Sequence, residues 1–250
     1  LRATGKENLE AIADTVRWLK ENPVHSFPEV VYDAEHFFDG FKDDEGYAMA
    51  TLEYAMMAGA DTLVLCDTNG GTPFWEVSEI VARVREMLDD DRDCHPYHHV
   101  QVGIHAHNDS EMAIANSLAA VRAGATHVQG TINGIGERIG NANLTSIMPD
   151  LVFKMGVDLG EQVDLTQLES LSRKVYMAAG LQPQDNLPFV GRKAFTHDGG
   201  VHIDALGKDA SYEHIDPQSV GNKRRISLSS NSGKASVLAV KSLLGITTTS

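Results

Sequence analysis

The chain has 250 residues, 42% of them hydrophobic, which suffices to bury the core of one α/β domain of barrel size and excludes disorder as the default. Its 35 acidic against 21 basic residues give a formal net charge of −14, the wrong sign for a general nucleic-acid or anionic-membrane surface. The 2 cysteines, Cys66 in an apolar run and Cys94 in a polar loop, argue against a disulfide framework and fit a reducing, cytoplasmic setting.

The first residues are charged and amphipathic rather than a signal-peptide core, and no run approaches the roughly 20 apolar residues of a membrane span. Leu9, Ile12, Ala13, Val16 and Leu19 have helical spacing and predict a helix over 8–21, stopped by Asn22-Pro23. A short strand is expected at 30–33, then a helix over 47–58 closed by Gly59 and a strand at 62–66. A third strand is read at 100–105, a helix over 111–123 capped by Gly124, and a fourth strand at 127–132. "MAGADTLVLCDTNGG" and "RAGATHVQGTINGIG" are two copies of one helix–glycine–strand–loop unit, the sign of a parallel sheet built from repeated βα pieces. The length suits an eight-stranded barrel, whereas the four strands supply half of one. From 156 to 250 the pattern changes to a helix over 165–179, ended by Gly180, and a stretch rich in glycine, histidine and short polar turns. A boundary is therefore placed after 155, and the tail ITTTS is expected to fray.

In a sheet of parallel βα units the ligand site lies beyond the carboxyl ends of the strands. The residues there are polar: Asp33 and Glu35, then Asp67, Thr68 and Asn69, then His105 and His107, then Asn133, Glu137, Arg138 and Asn141. His105 and His107 are two apart on a strand and project to one side, a metal-ligand spacing that two unrelated histidines also show by chance. Imidazoles with oxygen ligands suit Zn²⁺, Mn²⁺, Co²⁺ or Fe²⁺ acting as a Lewis acid. Asp109 is expected to cap the helix that starts near Glu111. "GIGERIG" has the wrong last glycine interval for a dinucleotide loop, and "HPYHH" after an acidic run reads as a solvated connector.

Six strings in order carry a resemblance: "VYDAEHFFDGFK", "LCDTNGG", "GIHAHND", "GTINGIGERIGNANL", "KAFTHDGGVHIDAL" and "SYEHIDPQSVGNKRR". They resemble the metal-dependent enzymes that join acetyl-CoA to a 2-oxo acid on a TIM barrel: the 2-isopropylmalate, homocitrate and citramalate synthases. The first and last strings are most similar to the branch whose oxo acid is pyruvate and whose product is (R)-citramalate. The resemblance implies that 1–155 is the C-terminal half of a (β/α)₈ barrel and 156–250 an appended helical subdomain. It further implies His105 and His107 as ligands of a divalent ion (Mn, Mg, Zn or Co), Asn141 as a further ligand, and Thr68 as the binder of the oxo-acid carboxylate. Glu35, His202 and Tyr212 match catalytic positions, the last two reaching a neighbouring subunit's site in the family's homodimers.

The chemistry needs this inventory, because a thioester methyl group is a weak carbon acid and requires a base, here His202 oriented by Glu35. Tyr212 is a hydrogen-bond donor to the carbonyl or to water, or an ordinary half-buried tyrosine. The resemblance also implies a first strand with an arginine and a metal-binding aspartate, and three further βα units, ahead of the helix with which this chain begins. Two expectations follow. One is part of an acyltransferase of branched-chain amino-acid biosynthesis taking pyruvate, or alternatively the larger oxo acids of the isopropylmalate and homocitrate synthases. The other is an inactive half-barrel that self-associates through an open sheet edge.

Overall fold

A computed structural model of the chain describes residues 3–21, 29–89, 99–197 and 212–227. The chain divides into two compact units, Leu1–Ile147 and Met148–Ser250.

The first unit opens with α1 (Gly5–Glu21), whose N-terminus is tied by a reciprocal Thr4–Glu7 capping box: the Thr4 N–H donates to Glu7 at 2.7 Å and the Glu7 N–H to the Thr4 hydroxyl at 3.3 Å. Then come β1 (Val31–Ala34), α2 (Phe37–Asp43), α3 (Glu45–Met57), β2 (Thr62–Asp67), α4 (Phe74–Leu88), β3 (Gln101–Ala106), α5 (Ala113–Arg122), β4 (His127–Gln129) and α6 (Leu144–Phe153), which crosses into the second unit. Helices α2, α4 and α6 are additions to the expected elements; α4 buries Val77, Ile80, Val81, Val84 and Leu88 at helical spacing. The fourth strand stops at Gln129, short of the expected 132. Beyond it the chain turns through a 3₁₀ segment, Ile132–Gly134, in which Asn133 is left-handed.

The four strands form one parallel sheet in the order β1-β2-β3-β4. The register aligns Asp33 with Val64 and Gly103, and Cys66 with His105 and Gln129, so these residues share one face. The other face carries Leu63, Leu65, Val102, Ile104 and Ala106, all fully buried, each large side chain contributing about 1.5–3 kcal/mol by its removal from water. Gly103 is small for a reason: a Cβ there would lie 2.8 Å from Val64 Cγ2 and 3.0 Å from the His127 ring.

The sheet curls toward the Asp33 face. Gln129 on β4 donates from Nε2 to Asp33 Oδ1 on β1 at 2.9 Å, although β1 and β4 are the two edges of the sheet. In a flat sheet three strand spacings amount to about 14 Å, too far for these two side chains to bridge. The curvature is that of a barrel wall.

The second unit contains a 3₁₀ turn, Leu165–Gln167, then α7 (Leu168–Ala178), another 3₁₀ turn, Pro217–Val220, and two 2-residue strands, β5 (Thr196–His197) and β6 (Arg225–Ile226), paired in parallel. The strands were not foreseen. Leu168, Phe189, Val190, Phe195 and Val220 make its core. The nearly buried Glu213 carboxylate accepts from Arg224 through both oxygens, at 2.7 and 2.5 Å, and lies 3.0 Å from His197 Nε2. No helix among the described residues is long and apolar enough to cross a membrane.

Candidate functional site

The residues of interest gather at the carboxyl ends of the first unit's strands. His105, the fifth residue of β3, and His107, just past its end, lie on one side of the chain, their ring centroids 5.2 Å apart. His107 stays in line because it forms an isolated antiparallel bridge with Asn141, while Ala142 N–H donates to Ala106 O at 2.9 Å and Asn108 N–H to Gly140 O at 2.9 Å. The strand end thus pins the loop after β4 and sets Asn141 beside the histidines.

Each imidazole has one nitrogen engaged. His105 Nδ1 is 2.8 Å from Gln129 Oε1, and His107 Nδ1 is 2.7 Å from the Thr68 carbonyl. Both oxygens can only accept, so both Nδ1 atoms carry a proton, and in the neutral imidazole it is Nε2 that offers the lone pair. Arg138 Nη2 also stands 2.8 Å from His107 Nδ1, but its two hydrogens go to the Thr68 carbonyl at 2.9 Å and to Asp109 Oδ2 at 2.7 Å. A second-sphere oxygen on the far nitrogen is how metal-binding histidines are oriented.

Asn141 adds a third donor. Its Oδ1 is buried and finds no hydrogen-bond partner among the described residues. Such an atom costs roughly 1–3 kcal/mol unless something binds it. Two imidazole nitrogens and an amide oxygen form a mixed donor set that suits a divalent cation and leaves positions open. Among the described residues no group of three or more His, Cys, Asp or Glu side chains assembles that could hold a metal.

Thr68, just after β2, is engaged on both sides: its hydroxyl donates to Glu35 Oε2 at 2.7 Å and accepts the His36 N–H at 2.8 Å. His36 is left-handed, with φ 56°, which turns the chain sharply between β1 and α2 and brings that N–H round to Thr68. The loop is supported from below by Asp67, buried at the end of β2, whose carboxylate accepts the Thr72 N–H at 3.3 Å and Asn116 Nδ2 at 3.3 Å. Burial pushes the Asp67 carboxyl up from its usual range, against the hydrogen bonds from Thr72. Cys66 is a buried free thiol beside His105 in the register, pushed up first by burial and then by Asp33 and Glu35.

Of the residues singled out in the sequence, the structure brings together Glu35 with Thr68, and His105 with His107 and Asn141. Tyr212 belongs to the second unit, where it is 48% exposed. His202 lies outside the described residues. Asp109 does not cap α5. Asn108 Oδ1 accepts the Ala113 N–H at 3.2 Å instead, because Asp109 is taken by Arg138. Gln129 went unrecognised in the sequence. Its signal was there, since alternation along His127–Gln129 puts it on the His105 face.

Fold and site together define a TIM-barrel-type α/β protein with a polar, cation-suited site at the strand ends. Residues 3–175 match the HMGL-like family and residues 189–250 the homocitrate synthase post-HMGL domain-like family, and the chain belongs to the HMGL-like family. It is 49% identical to the (R)-citramalate synthase of Synechocystis over 98% of this chain and 44% of that protein, and 49% identical to the (R)-citramalate synthase of Aquifex aeolicus over 95% and 43%. Homocitrate synthase AksA of Methanopyrus kandleri is 37% identical over 98% of this chain and 57% of that protein. The chain thus spans less than half the length of these citramalate synthases. Among solved structures, an HMG-CoA lyase from Bacillus subtilis matches with TM-score 0.54 at 21% identity, over 74% of this chain and 60% of that one, a likeness of fold.

Proposed function

We propose that this chain carries the metal-binding and oxo-acid-binding part of a citramalate synthase-type site, which condenses acetyl-CoA with pyruvate and hydrolyses the thioester with water to give (R)-citramalate and CoA. The observation that carries the reading is the donor set at the end of β3: two imidazoles with Nδ1 committed to oxygen acceptors, and the unpartnered Asn141 Oδ1 beside them. Higher identity to citramalate synthases than to a homocitrate synthase supports pyruvate over larger oxo acids.

In this reading His105, His107 and Asn141 hold a divalent cation from one side. When bound, the cation supplies Lewis-acid polarisation of the keto carbonyl. Thr68 receives the pyruvate carboxylate by turning its hydroxyl proton away from Glu35, to which it is donated in the absence of substrate. Glu35, released from Thr68, orients His202, and His202 takes the proton from the thioester methyl group. Tyr212 donates a hydrogen bond to the thioester carbonyl or to the hydrolytic water. His202 and Tyr212 enter by their motif positions, and as in the resemblance they serve a second subunit of a homodimer.

The test is release of CoA thiol by the full chain with acetyl-CoA and Mn²⁺, comparing pyruvate with branched and dicarboxylic 2-oxo acids. The expected result is release that needs both Mn²⁺ and pyruvate and is lost in the His105→Ala/His107→Ala double variant. Release no faster than in the protein-free control would remove the reaction from this chain, and preference for a larger oxo acid would reassign the substrate.

A further inference from the structure

We propose that Asp33 is a positioning residue that dictates, through Gln129, which nitrogen of His105 carries the proton. The inference rests on the reading of His105 as a metal ligand. A carboxylate only accepts hydrogen bonds, so the Gln129 side chain facing Asp33 must present its NH₂ group, as it does at 2.9 Å. That orientation turns the other end of the same planar amide, Oε1, onto His105 Nδ1 at 2.8 Å. An amide oxygen also only accepts, so Nδ1 must donate and the lone pair appears at Nε2. The polarity of the whole chain is thus fixed by the one member that cannot be reversed.

Turning the Gln129 amide over would place its oxygen against the Asp33 carboxylate and its NH₂ against His105. His105 would then accept at Nδ1, hold its proton on Nε2 and have no lone pair there to offer a cation. With an asparagine at 33 this barrier is gone, because a side-chain amide can face Gln129 with either end. His107 is different: its Nδ1 is met by the Thr68 backbone carbonyl, which no side-chain substitution can invert. The two ligands of the site are therefore oriented by unlike devices, and only that of His105 runs across the curved face of the sheet, from β4 to β1.

The experiment is imidazole ¹⁵N NMR of the full chain, metal-free, at about pH 8, above the ordinary histidine range, with Mn²⁺ titration calorimetry run in parallel. In the parent, His105 is expected to read as the Nδ1–H tautomer. In Asp33→Asn a substantial Nε2–H population appears at His105 while His107 is unchanged, and Mn²⁺ affinity falls about tenfold. The double variant Asp33→Asn/Gln129→Glu restores the direction of the chain, with the new amide donating to an acceptor-only Glu, and should return His105 to Nδ1–H. His105 remaining Nδ1–H in Asp33→Asn would overturn the proposal. Should that variant fail to fold, Asp33→Ala decides: with no acceptor facing the Gln129 amide an Nε2–H population is expected at His105, and His105 remaining wholly Nδ1–H there overturns the proposal. The metal reading fails separately: a His105→Ala/His107→Ala protein that binds Mn²⁺ as tightly as the parent would refute it without touching the tautomer result.

Discussion

Arg138 holds both carboxylate oxygens of Asp109, at 2.8 and 2.7 Å, and its guanidinium also donates to the Thr68 carbonyl at 2.9 Å. One side chain from the loop after β4 thereby ties together the loops after β2 and β3. Its hydrogen bonds keep the Asp109 carboxyl below the usual carboxylate range. Arg138 reaches them from a left-handed backbone, φ 51°, a conformation that costs energy in a residue with a Cβ and that clusters at functional sites. The Thr68 carbonyl it steadies is the same atom that fixes the tautomer of His107.

Arg138→Ala is therefore expected to loosen the site rather than the fold. Mn²⁺ affinity, read by calorimetry, should fall about tenfold, the scale of a second-sphere loss. The melting temperature should barely move, because exposed ion pairs contribute little stability. Arg138→Lys should not restore affinity, since an ammonium cannot grip two carboxylate oxygens and a carbonyl from one plane. Parent-like affinity in both variants would show that the loops hold themselves.

The parallel βα architecture was legible because it rests on local chemistry. Two helix–glycine–strand junctions repeat, and Gly59 and Gly124 are both left-handed, with φ 106° and 109°, as helix ends of that kind require. The histidine pair was legible because strand alternation is a rule of geometry. What could not be read was any link between residues distant in sequence. Gln129 and Asp33 are 96 residues apart, and their hydrogen bond depends on the curl of the sheet. Asp109 looked like a helix cap because Asp caps helices, yet the choice between Asn108 and Asp109 was made by Arg138, 29 residues later.

Gly136 makes a sharper test of Asn141. A Cβ built on Gly136 would sit 2.0 Å from Asn141 Nδ2, so alanine there must push the Asn141 amide aside. Gly136→Ala is expected to weaken Mn²⁺ binding to the level of Asn141→Ala and to be non-additive with it, as residues acting on one contact are. Gly40→Ala is the control. Nothing lies within 4 Å of its Cβ, and as a helical position it should raise stability by roughly 0.5–1 kcal/mol and leave the metal titration unchanged. Full additivity of Gly136→Ala and Asn141→Ala would separate the glycine from the ligand.

The Thr68–Glu35 hydrogen bond predicts a split between binding and turnover. Thr68→Val removes the hydroxyl that is to meet the pyruvate carboxylate and should weaken pyruvate binding about tenfold or more, the scale of a lost hydrogen bond to a charged group. Glu35→Ala frees the same hydroxyl from its present acceptor, so pyruvate should bind at least as well while turnover drops. Isothermal titration with pyruvate, set beside the thiol-release rate, reads both. If Glu35→Ala loses pyruvate affinity as Thr68→Val does, Glu35 is part of the carboxylate pocket and the proton switch at Thr68 is wrong.

The second unit should carry its own pH dependence, written in Glu213. Arg224 grips this carboxylate and holds it below the usual range; burial pushes the other way, and His197 adds to the lowering. A carboxyl group whose folded value is depressed contributes stability that is complete above its unfolded value, near pH 4.3, and that is lost as pH falls through the folded value. The side chain of Glu213 is almost wholly buried whereas that of Arg224 is 43% exposed, so solvent screens the pair and the contribution is smaller than that of a fully buried one. Glu213→Gln keeps an acceptor for one donor and loses the charge. Its melting temperature should therefore lie below the parent's at pH 7, with the gap shrinking as pH falls below the ordinary glutamate range and through the depressed folded value, where the parent's own carboxylate becomes protonated. Thermal unfolding of both proteins across that range reads the gap directly, and a difference that stays constant with pH would mean that Glu213 acts by shape and hydrogen bonding, not by its charge.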